Sequence, residues 1–312
     1  MRKLYPDIIK HIIIFAVICI AFLIWIHESK QDYPLAQDGV LDLSQWNFKS
    51  EGRITLSGEW GFHWGEFLTW GDYKNNSHLD SMYVSAPQVW NRYQLDGQTL
   101  PGFGYATYHL KVKVPDTKTI LGLHISSMST AYQFYINDRL LAQNGKISTS
   151  QEGSEPQYAP VTAVFAPPTK EFDLIVQVSN YTYARNGMWF DIDFGTAEQI
   201  KRYESFLKYR DGFVIGVLSI MAVYFFCYFY MSREDRKNLN FMLMCLILIV
   251  RTGLYGDYLI VQLFPDISFR LLVWISYLTL IWFPVILYQM IEFYISNTKI
   301  RSLSKPFYFY AF

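Results

Sequence analysis

The chain has 312 residues, 51% of them hydrophobic and 18% aromatic, and its formal net charge is zero. A chain of this length can hold two domains, and its apolar fraction exceeds what a purely soluble protein needs, so we expect part of it to lie in lipid. The neutral charge, without a stripe of Lys and Arg interleaved with aromatic residues, argues against nucleic acid as a partner.

The first predicted element is an uncharged apolar run at residues 12–26, which follows Arg2, Lys3 and Lys10. Such a run fits either a secretory leader or a membrane anchor. Its length as a helix is about 22 Å, short of the roughly 30 Å hydrocarbon core, but snorkelling of Lys10 would lengthen it. Bulky or charged residues follow where a signal peptidase needs small ones. We therefore predict a retained anchor within residues 1–29, with a cleaved leader as the alternative.

Residues 38–195 have the pattern of an all-β domain, with short alternating runs separated by Gly, Pro, Asn and Asp. Nine such runs predict strands that pack as a sandwich or jelly roll. The predicted strands are residues 54–64, 83–86, 106–114, 120–125, 131–137, 140–143, 161–165, 172–180 and 188–194. Asn137 and Asp138 tolerate the left-handed backbone of a tight turn, so they predict a hairpin between the fifth and sixth runs.

The run at residues 106–114 has the clearest alternation. Tyr108 shares one face with four aliphatic residues, while His109 shares the other face with Thr107 and two lysines. A strand with this period of two has one buried face and one face in water. We expect the Tyr108 face to be dry and the His109 face to be wet.

Beyond residue 195 the apolar period changes to that of helices. Residues 196–211 predict an amphipathic connector into the membrane. The remaining residues, 212–312, contain three predicted membrane spans, because each of three apolar runs is long enough to cross a bilayer. These spans are residues 213–231, 239–264 and 271–291.

Basic residues predict the sidedness of the chain. Residues 232–238 and 296–305 each carry three Lys or Arg residues, and the first ten residues carry three more. These segments are expected in the cytoplasm, which makes the chain a multi-pass protein of the cell membrane with an extracytoplasmic β domain. The connector carries four basic residues and favours the opposite orientation, but it is one basic segment against three.

Motifs for metal binding and catalysis are missing from the sequence. The six histidines show no H-x-x-x-H spacing, and all three cysteines lie in apolar runs, so we predict no metal site, no cofactor and no disulfide in the β domain. No P-loop or G-x-S-x-G elbow occurs, and we predict no enzymatic activity. A carboxylate pair from Glu59, Glu66 and Asp72 would suit a membrane-anchored glycan-processing enzyme, which is the alternative.

Four residues of the β domain are candidate ligand contacts. Trp90, Tyr105 and Trp189 offer aromatic rings near predicted loops, and Asn180 offers an amide at a strand end. Sugar rings have apolar C–H faces and polar rims, so these groups on one rim of a sandwich indicate a carbohydrate as the small ligand. The alternative is structural, with Trp189 packed against the connector and Asn180 capping a turn.

Arg251 is a candidate switch residue in the membrane. It lies roughly 18 Å along its helix from Leu239, near the middle of a bilayer, where a lone charge is costly. Its candidate partners are Asp257, Glu292 and helices of another chain. A purely structural ion pair is the alternative to a signalling switch.

Six segments in series carry a resemblance to a known family. They are residues 58–67 (GEWGFHWGEF), 83–91 (YVSAPQVWN), 100–115 (LPGFGYATYHLKVKVP), 129–150 (STAYQFYINDRLLAQNGKISTS), 176–189 (VQVSNYTYARNGMW) and 194–200 (FGTAEQI). From about Leu43 onward the chain resembles the bacterial seven-transmembrane receptors with diverse intracellular signalling modules. The resemblance implies an extracytoplasmic jelly-roll, galactose-binding-like sandwich, seven membrane helices and a cytoplasmic histidine kinase, diguanylate cyclase or phosphatase output.

The sequence departs from this family after its third predicted receptor span. Residues 306–312 are expected to begin a fourth span, and we expect no output domain within these 312 residues. We therefore expect a receptor fragment, or a chain that a separate signalling chain or a dimer partner completes in the bilayer. The expected function is to bind a small extracytoplasmic ligand and relay the binding event, while a structural envelope interaction domain is a further alternative.

Overall fold

The structure is a computed structural model that describes residues 33–75, 82–232 and 236–294. The chain divides into two compact units, Met1–Pro34 and Leu35–Phe312. The predicted anchor and the predicted start of a fourth span lie outside the described residues. All elements named below belong to the second unit.

Within the described residues the chain forms thirteen strands. The larger sheet contains β1 (Val40–Asp42), β3 (Gly58–Trp64), β4 (Met82–Ala86), β7 (Gly104–Lys113), β9 (Ala131–Ile136), β10 (Arg139–Asn144) and β12 (Glu171–Asn180). The smaller sheet contains β2 (Ile54–Thr55), β8 (Leu121–Ile125), β11 (Val161–Phe165) and β13 (Ile192–Thr196). Strands β5 (Gln94–Leu95) and β6 (Gln98–Thr99) form a separate hairpin.

The two sheets pack as a β-sandwich, which confirms that prediction. The larger sheet has the order β10-β9-β12-β7-β3-β4, with β1 parallel to one end of β7, and the smaller has the order β11-β8-β13-β2. Their inner faces meet in a core of aromatic and aliphatic side chains. Phe172 of the larger sheet contacts Phe165 of the smaller one, with ring centroids 5.8 Å apart.

The inner face of strand β7 is formed by the apolar residues that the alternation predicts. The inward side chains are completely buried, and they are Ala106, Tyr108, Leu110 and Val112. Phe62 of β3 meets Tyr108 edge to face, with ring centroids 4.9 Å apart. The Tyr108 face is therefore dry, because aromatic and aliphatic groups of neighbouring strands cover it.

The outer face of β7 differs from the expectation of a wet surface. Thr107 is completely buried, and its hydroxyl accepts a hydrogen bond from the amide of Leu68 at 3.0 Å. The ring of Tyr73 stacks on His109 with centroids 4.0 Å apart, which leaves the His109 side chain only 15% exposed. The segment of residues 65–75 folds over this face, a long-range contact that the alternation cannot reveal.

The predicted hairpin between β9 and β10 is present. Asn137 has a left-handed φ of 52°, and Ile136 pairs directly with Arg139 across the two-residue loop. Asn tolerates this backbone conformation because its short side chain can hydrogen-bond locally.

Six α-helices occur among the described residues. They are α1 (Phe48–Glu51), α2 (Trp70–Asn75), α3 (Ala197–Met231), α4 (Arg236–Leu254), α5 (Leu259–Leu263) and α6 (Phe269–Tyr294), with a 3₁₀ turn at Trp90–Arg92. Helix α3 begins directly after β13, where Thr196 and Gln199 form a capping box. The predicted connector and first span are thus one continuous helix of 35 residues.

Three helices in the described part of the chain are long and apolar enough to cross a membrane. They are Ala197–Met231, Lys237–Leu254 and Phe269–Met290. The second span was predicted to reach residue 264, but α4 ends at Leu254. The chain turns there because Gly256 and Tyr258 have left-handed φ values of 70° and 49°, which a helix cannot contain.

Candidate functional site

Two of the four predicted ligand residues lie inside the fold. Trp90 is completely buried, donates its Nε1–H to the carbonyl of Pro101 at 3.0 Å, and packs against Trp64 with ring centroids 5.1 Å apart. Asn180 is also completely buried, and its Nδ2 donates to two backbone carbonyls at 3.0 and 2.7 Å. Both side chains hold loops in place, and for Asn180 this is the structural alternative considered from the sequence.

The other two predicted ligand residues are partly exposed and have different surroundings. Tyr105 packs against Phe67, with ring centroids 4.8 Å apart. Trp189 lines a surface pocket, and Tyr105 is not part of its lining. The structure therefore does not bring the four predicted residues together, and of the four it places Trp189 at a concave surface.

The pocket beside Trp189, called the Trp189 pocket here, has a volume of about 480 Å³. Small-molecule sites in proteins typically measure roughly 300–1,000 Å³. Its polar lining residues are Gln88, Asn91, Arg92, Arg185 and Trp189, and its apolar ones are Pro87, Val89 and Ala184. The pocket is large enough for a sugar and offers both an aromatic ring and hydrogen-bond donors.

Two loops build the Trp189 pocket, one after β4 and the other between β12 and β13. The amide of Gln88 donates to the carbonyl of Met188 at 2.8 Å. The amide of Asn91 donates to Oδ1 of Asn186, which is completely buried, at 3.1 Å. These hydrogen bonds tie the two loops to each other and hold both walls of the pocket in place.

The electrostatic character of the Trp189 pocket comes from two exposed arginines, Arg92 and Arg185. The guanidinium of Arg185 lies over the indole of Trp189, 4.9 Å from the ring centroid, as a cation–π contact. No Asp or Glu lines the pocket, and neither arginine has an ion-pair partner among the residues that the structure describes. The pocket is therefore positively charged.

A chain of two hydrogen bonds leads from Trp189 into the sandwich. Trp189 Nε1–H donates to Ser129 Oγ at 2.8 Å, and Ser129 Oγ lies 2.8 Å from the hydroxyl of Tyr158. Ser129 is completely buried and Tyr158 nearly so. Burial raises the pKa of Tyr158, so its hydroxyl keeps its proton and can take part in the second hydrogen bond.

Tyr158 also belongs to an apolar cluster that joins the sandwich to the helices, called the joint cluster here. Its buried members are Tyr158, Leu254, Tyr258, Val261, Phe269 and Leu272. The ring of Tyr158 lies 4.9 Å from that of Phe269 and 5.9 Å from that of Tyr258. One side chain of the sandwich thus contacts both the first turn of α6 and the linker that follows α4.

A second cavity of about 500 Å³ lies beside the joint cluster. Its charged lining residues are Lys146, Glu155, Asp266 and Arg270. Lys146 and Glu155 lie 3.6 Å apart as an ion pair. Because its charges are balanced, this cavity has no preference for the sign of a ligand.

Asp257, one of the predicted switch residues, lies against the sandwich. Its Oδ1 is 3.9 Å from Nε2 of His124 in β8, and both side chains are almost completely buried. Gln262 donates to Asp257 Oδ2 at 2.8 Å, and Thr162 Oγ1 lies 2.9 Å from His124 Nδ1. The two facing atoms, His124 Nε2 and Asp257 Oδ1, make no hydrogen bond with the residues that are described.

Burial away from water is the largest cause of the pKa shift of both His124 and Asp257. Burial lowers the pKa of His124 and raises the pKa of Asp257, because a low-dielectric surrounding disfavours each charged form. The pair is thus a polar contact between the sandwich and the linker after α4, in addition to the joint cluster.

The remaining two switch candidates have other surroundings. Arg251 lies in the last turn of α4, and its guanidinium is 4.7 Å from the ring centroid of Tyr255. Because α4 ends at Leu254, Arg251 is near the end of this candidate span. Its role as a switch residue in the membrane stays a prediction. Glu292 lies in the last turn of α6, outside the residues whose side chains are described.

Two of the three carboxylates of the enzyme alternative have structural roles. Glu59 accepts a hydrogen bond from the amide of Asp38 at 3.1 Å, and Asp72 accepts two from Thr69 at 2.7 Å. Glu66 is exposed. Within residues 33–75, 82–232 and 236–294, no group of three or more His, Cys, Asp or Glu side chains could hold a metal ion.

Sequence reasoning missed Arg92, Arg185 and His124. Arg92 follows Trp90 by two positions, and Arg185 precedes Trp189 by four. Both arginines therefore lie in the loops that contain the predicted ligand residues. A search for like charges in loops at one end of a sandwich would have identified them. His124 gave no such signal, because its partner Asp257 belongs to a different part of the fold.

No protein-family model and no curated protein matches the sequence. Among solved structures, a Faecalibacterium prausnitzii β-glucuronidase is similar with a TM-score of 0.35 and 13% identity over 47% of this chain and 31% of its own. A Ruminococcus gnavus β-glucuronidase has a TM-score of 0.36 and 14% identity over 52% and 29% of the two chains. The chain spans less than a third of the length of these enzymes. Similarity at this level defines neither fold nor function.

Proposed function

We propose that this chain is the sensing part of a membrane receptor. Its β-sandwich binds a small extracytoplasmic ligand, a carbohydrate, at the Trp189 pocket, and the helices relay the binding event across the cell membrane. This order of sandwich and helices is the one expected of the seven-transmembrane receptors that the sequence resembles. The proposal gives the chain a binding role and leaves the signalling output to another domain or chain.

One observation carries this proposal, the connection between the pocket and the candidate spans. Trp189 lines the pocket and is linked by two hydrogen bonds of 2.8 Å to Tyr158. Tyr158 in turn packs against Phe269, the first residue of α6. A ligand that moves the indole of Trp189 therefore acts on a side chain in contact with a candidate membrane helix.

The lining of the pocket supports a carbohydrate as the ligand. The indole of Trp189 can stack on the apolar face of a pyranose, while Gln88 and Asn91 can hydrogen-bond its hydroxyl groups. Such a site needs no cofactor and no metal.

Binding to an oligosaccharide array tests the proposal. The full chain, in detergent micelles and fluorescently labelled, is applied to an array that carries neutral and charged glycans. We expect it to bind a defined subset of them. Trp189→Ala should reduce that binding about tenfold, because an aromatic stacking contact contributes roughly 0.5–1.5 kcal/mol beyond the area it buries and 1.4 kcal/mol corresponds to about a factor of ten.

Trp70→Phe is the matched control, since Trp70 lies on the covered outer face of the larger sheet and donates to Asp173. This variant should bind the array as the original chain does. Binding to no glycan, or equal binding by Trp189→Ala and the original chain, would reject a carbohydrate site at this pocket.

A further inference from the structure

The positive charge of the Trp189 pocket favours a negatively charged ligand. We propose that the pocket selects a sugar that carries a negatively charged group, a carboxylate or a phosphate, and that Arg92 and Arg185 recognise this charge. The inference rests on the proposed function, because it assumes that the pocket takes a sugar.

The first argument is the unbalanced positive charge. Arg92 and Arg185 line the same pocket, and its lining contains no carboxylate. Some basic side chains elsewhere on this sandwich do have acidic neighbours, for example Arg53 with Asp193 at 3.0 Å and Lys111 with Glu171 at 3.3 Å. Two guanidinium groups without a counter-charge repel each other, and an anion between them removes this repulsion.

The second argument concerns the contact that Arg185 makes within the pocket. Its guanidinium rests on the indole of Trp189, 4.9 Å from the ring centroid. A carboxylate or phosphate is a stronger partner, because the planar guanidinium can donate two parallel hydrogen bonds to it. An anionic group therefore draws Arg185 away from Trp189 and uncovers the indole face on which a sugar ring can stack.

The third argument is that the backbone on both sides of the pocket is held in place. The amide of Arg92 donates to the carbonyl of Val89 at 3.2 Å within the 3₁₀ turn. Asn186, the residue after Arg185, is completely buried and accepts from the amide of Asn91 at 3.1 Å. Both arginines thus extend from ordered loops, which reduces the entropy lost when they bind an anion.

Three sugars with the same ring test the charge selection. D-glucuronate, D-glucose 6-phosphate and D-glucose differ only at carbon 6, and their dissociation constants are measured by isothermal titration calorimetry with the full chain in detergent micelles. We expect at least one of the two anionic sugars to bind about tenfold or more tightly than glucose at low salt. This preference should shrink as the ionic strength rises.

Variants assign the charge selection to the two arginines. Arg92→Gln and Arg185→Gln should each weaken binding of the anionic sugar about tenfold, which shrinks its preference over glucose. Arg139→Gln removes an exposed positive charge at the start of β10, outside the pocket, and should bind all three sugars as the original chain does. Both arginines are exposed, so these substitutions leave the core intact.

The outcomes separate this inference from the proposed function. Equal affinity for all three sugars, lost in Trp189→Ala, overturns the charge selection and leaves the sugar site standing. An anionic preference that survives both Arg92→Gln and Arg185→Gln overturns the assignment to these residues. Binding of none of the three sugars overturns the inference, and a positive result on the oligosaccharide array would then preserve the proposed function alone.

Discussion

Gly187 illustrates why one residue of the pocket loop cannot be exchanged. Its φ is +74°, and an added Cβ would lie 2.6 Å from the hydroxyl of Tyr108 and 3.0 Å from the ring of Trp90. Both rings are completely buried. We predict that Gly187→Ala lowers the free energy of unfolding by about 3 kcal/mol, through strain and overpacking together. Thermal unfolding of the full chain in detergent, followed by tryptophan fluorescence, measures this loss.

Gly97 provides the matched control for this prediction. Its φ of +76° is nearly the same, but an added Cβ would meet no atom within 4 Å. Gly97→Ala should therefore cost only the backbone strain, about 1 kcal/mol. The difference between the two variants isolates the close approach of Tyr108 and Trp90. Equal losses would contradict the tight packing beneath the pocket.

At the level of strands, local alternation was sufficient to predict most of the sandwich. Where the predicted strands differ from the observed ones, the difference has a physical reason. Strand β1 has three residues and pairs in parallel with β7, a long-range contact that no local pattern contains. The predicted run at residues 54–64 is divided between the two sheets at Gly58, whose φ is +118° and whose missing Cβ lets Ala36 approach.

The candidate site was less predictable than the strands. Aromatic residues near loops were recognisable, but whether a ring faces solvent or the core depends on tertiary packing. Trp90 and Trp189 look alike in the sequence, yet Trp90 donates to Pro101 inside the fold and Trp189 lines the pocket. The pocket itself joins loops from distant parts of the chain, and only the sheet order brings them together.

The joint cluster leads to a prediction about coupling between elements. Tyr158→Phe removes the hydroxyl that lies 2.8 Å from Ser129 but keeps the ring that packs on Phe269. We expect ligand binding to persist, because Trp189 still donates to Ser129. The effect of the ligand on the helices should be lost. Hydrogen–deuterium exchange of residues 254–272, with and without the tightest-binding of the three sugars above, measures this effect.

Tyr132→Phe is the control, because Tyr132 is completely buried in β9 and its hydroxyl has no hydrogen-bond partner within the described residues. In this variant the ligand should protect residues 254–272 as it does in the original chain. If the ligand protects residues 254–272 of Tyr158→Phe from exchange as well as it protects the original chain, the Tyr158 hydroxyl does not couple the pocket to the helices.

On the scale of the whole molecule, the length of α3 determines how the sandwich meets the helices. Its 35 residues extend about 52 Å, whereas a hydrocarbon core needs roughly 30 Å. A helix of this length that crosses a bilayer has about 20 Å left for contacts outside it. Asp211, which is only 4% exposed, accepts from the amide of Asp257 at 3.4 Å. Together with the joint cluster and the His124–Asp257 pair, this contact fixes the sandwich against the ends of the helices.

This arrangement leads to a prediction of sidedness, because a single crossing by α3 puts the sandwich and Ser232 on opposite sides of the membrane. Arg233, Arg236 and Lys237 follow Ser232 and favour the cytoplasm for that end. In a chain whose cysteines are replaced by serine, Leu140→Cys on the exposed surface of β10 should react with a membrane-impermeant maleimide in intact spheroplasts. Ser232→Cys should react only after lysis. Labelling of both sites in intact cells would mean that α3 does not cross the membrane, and labelling of Ser232→Cys alone would invert the proposed orientation.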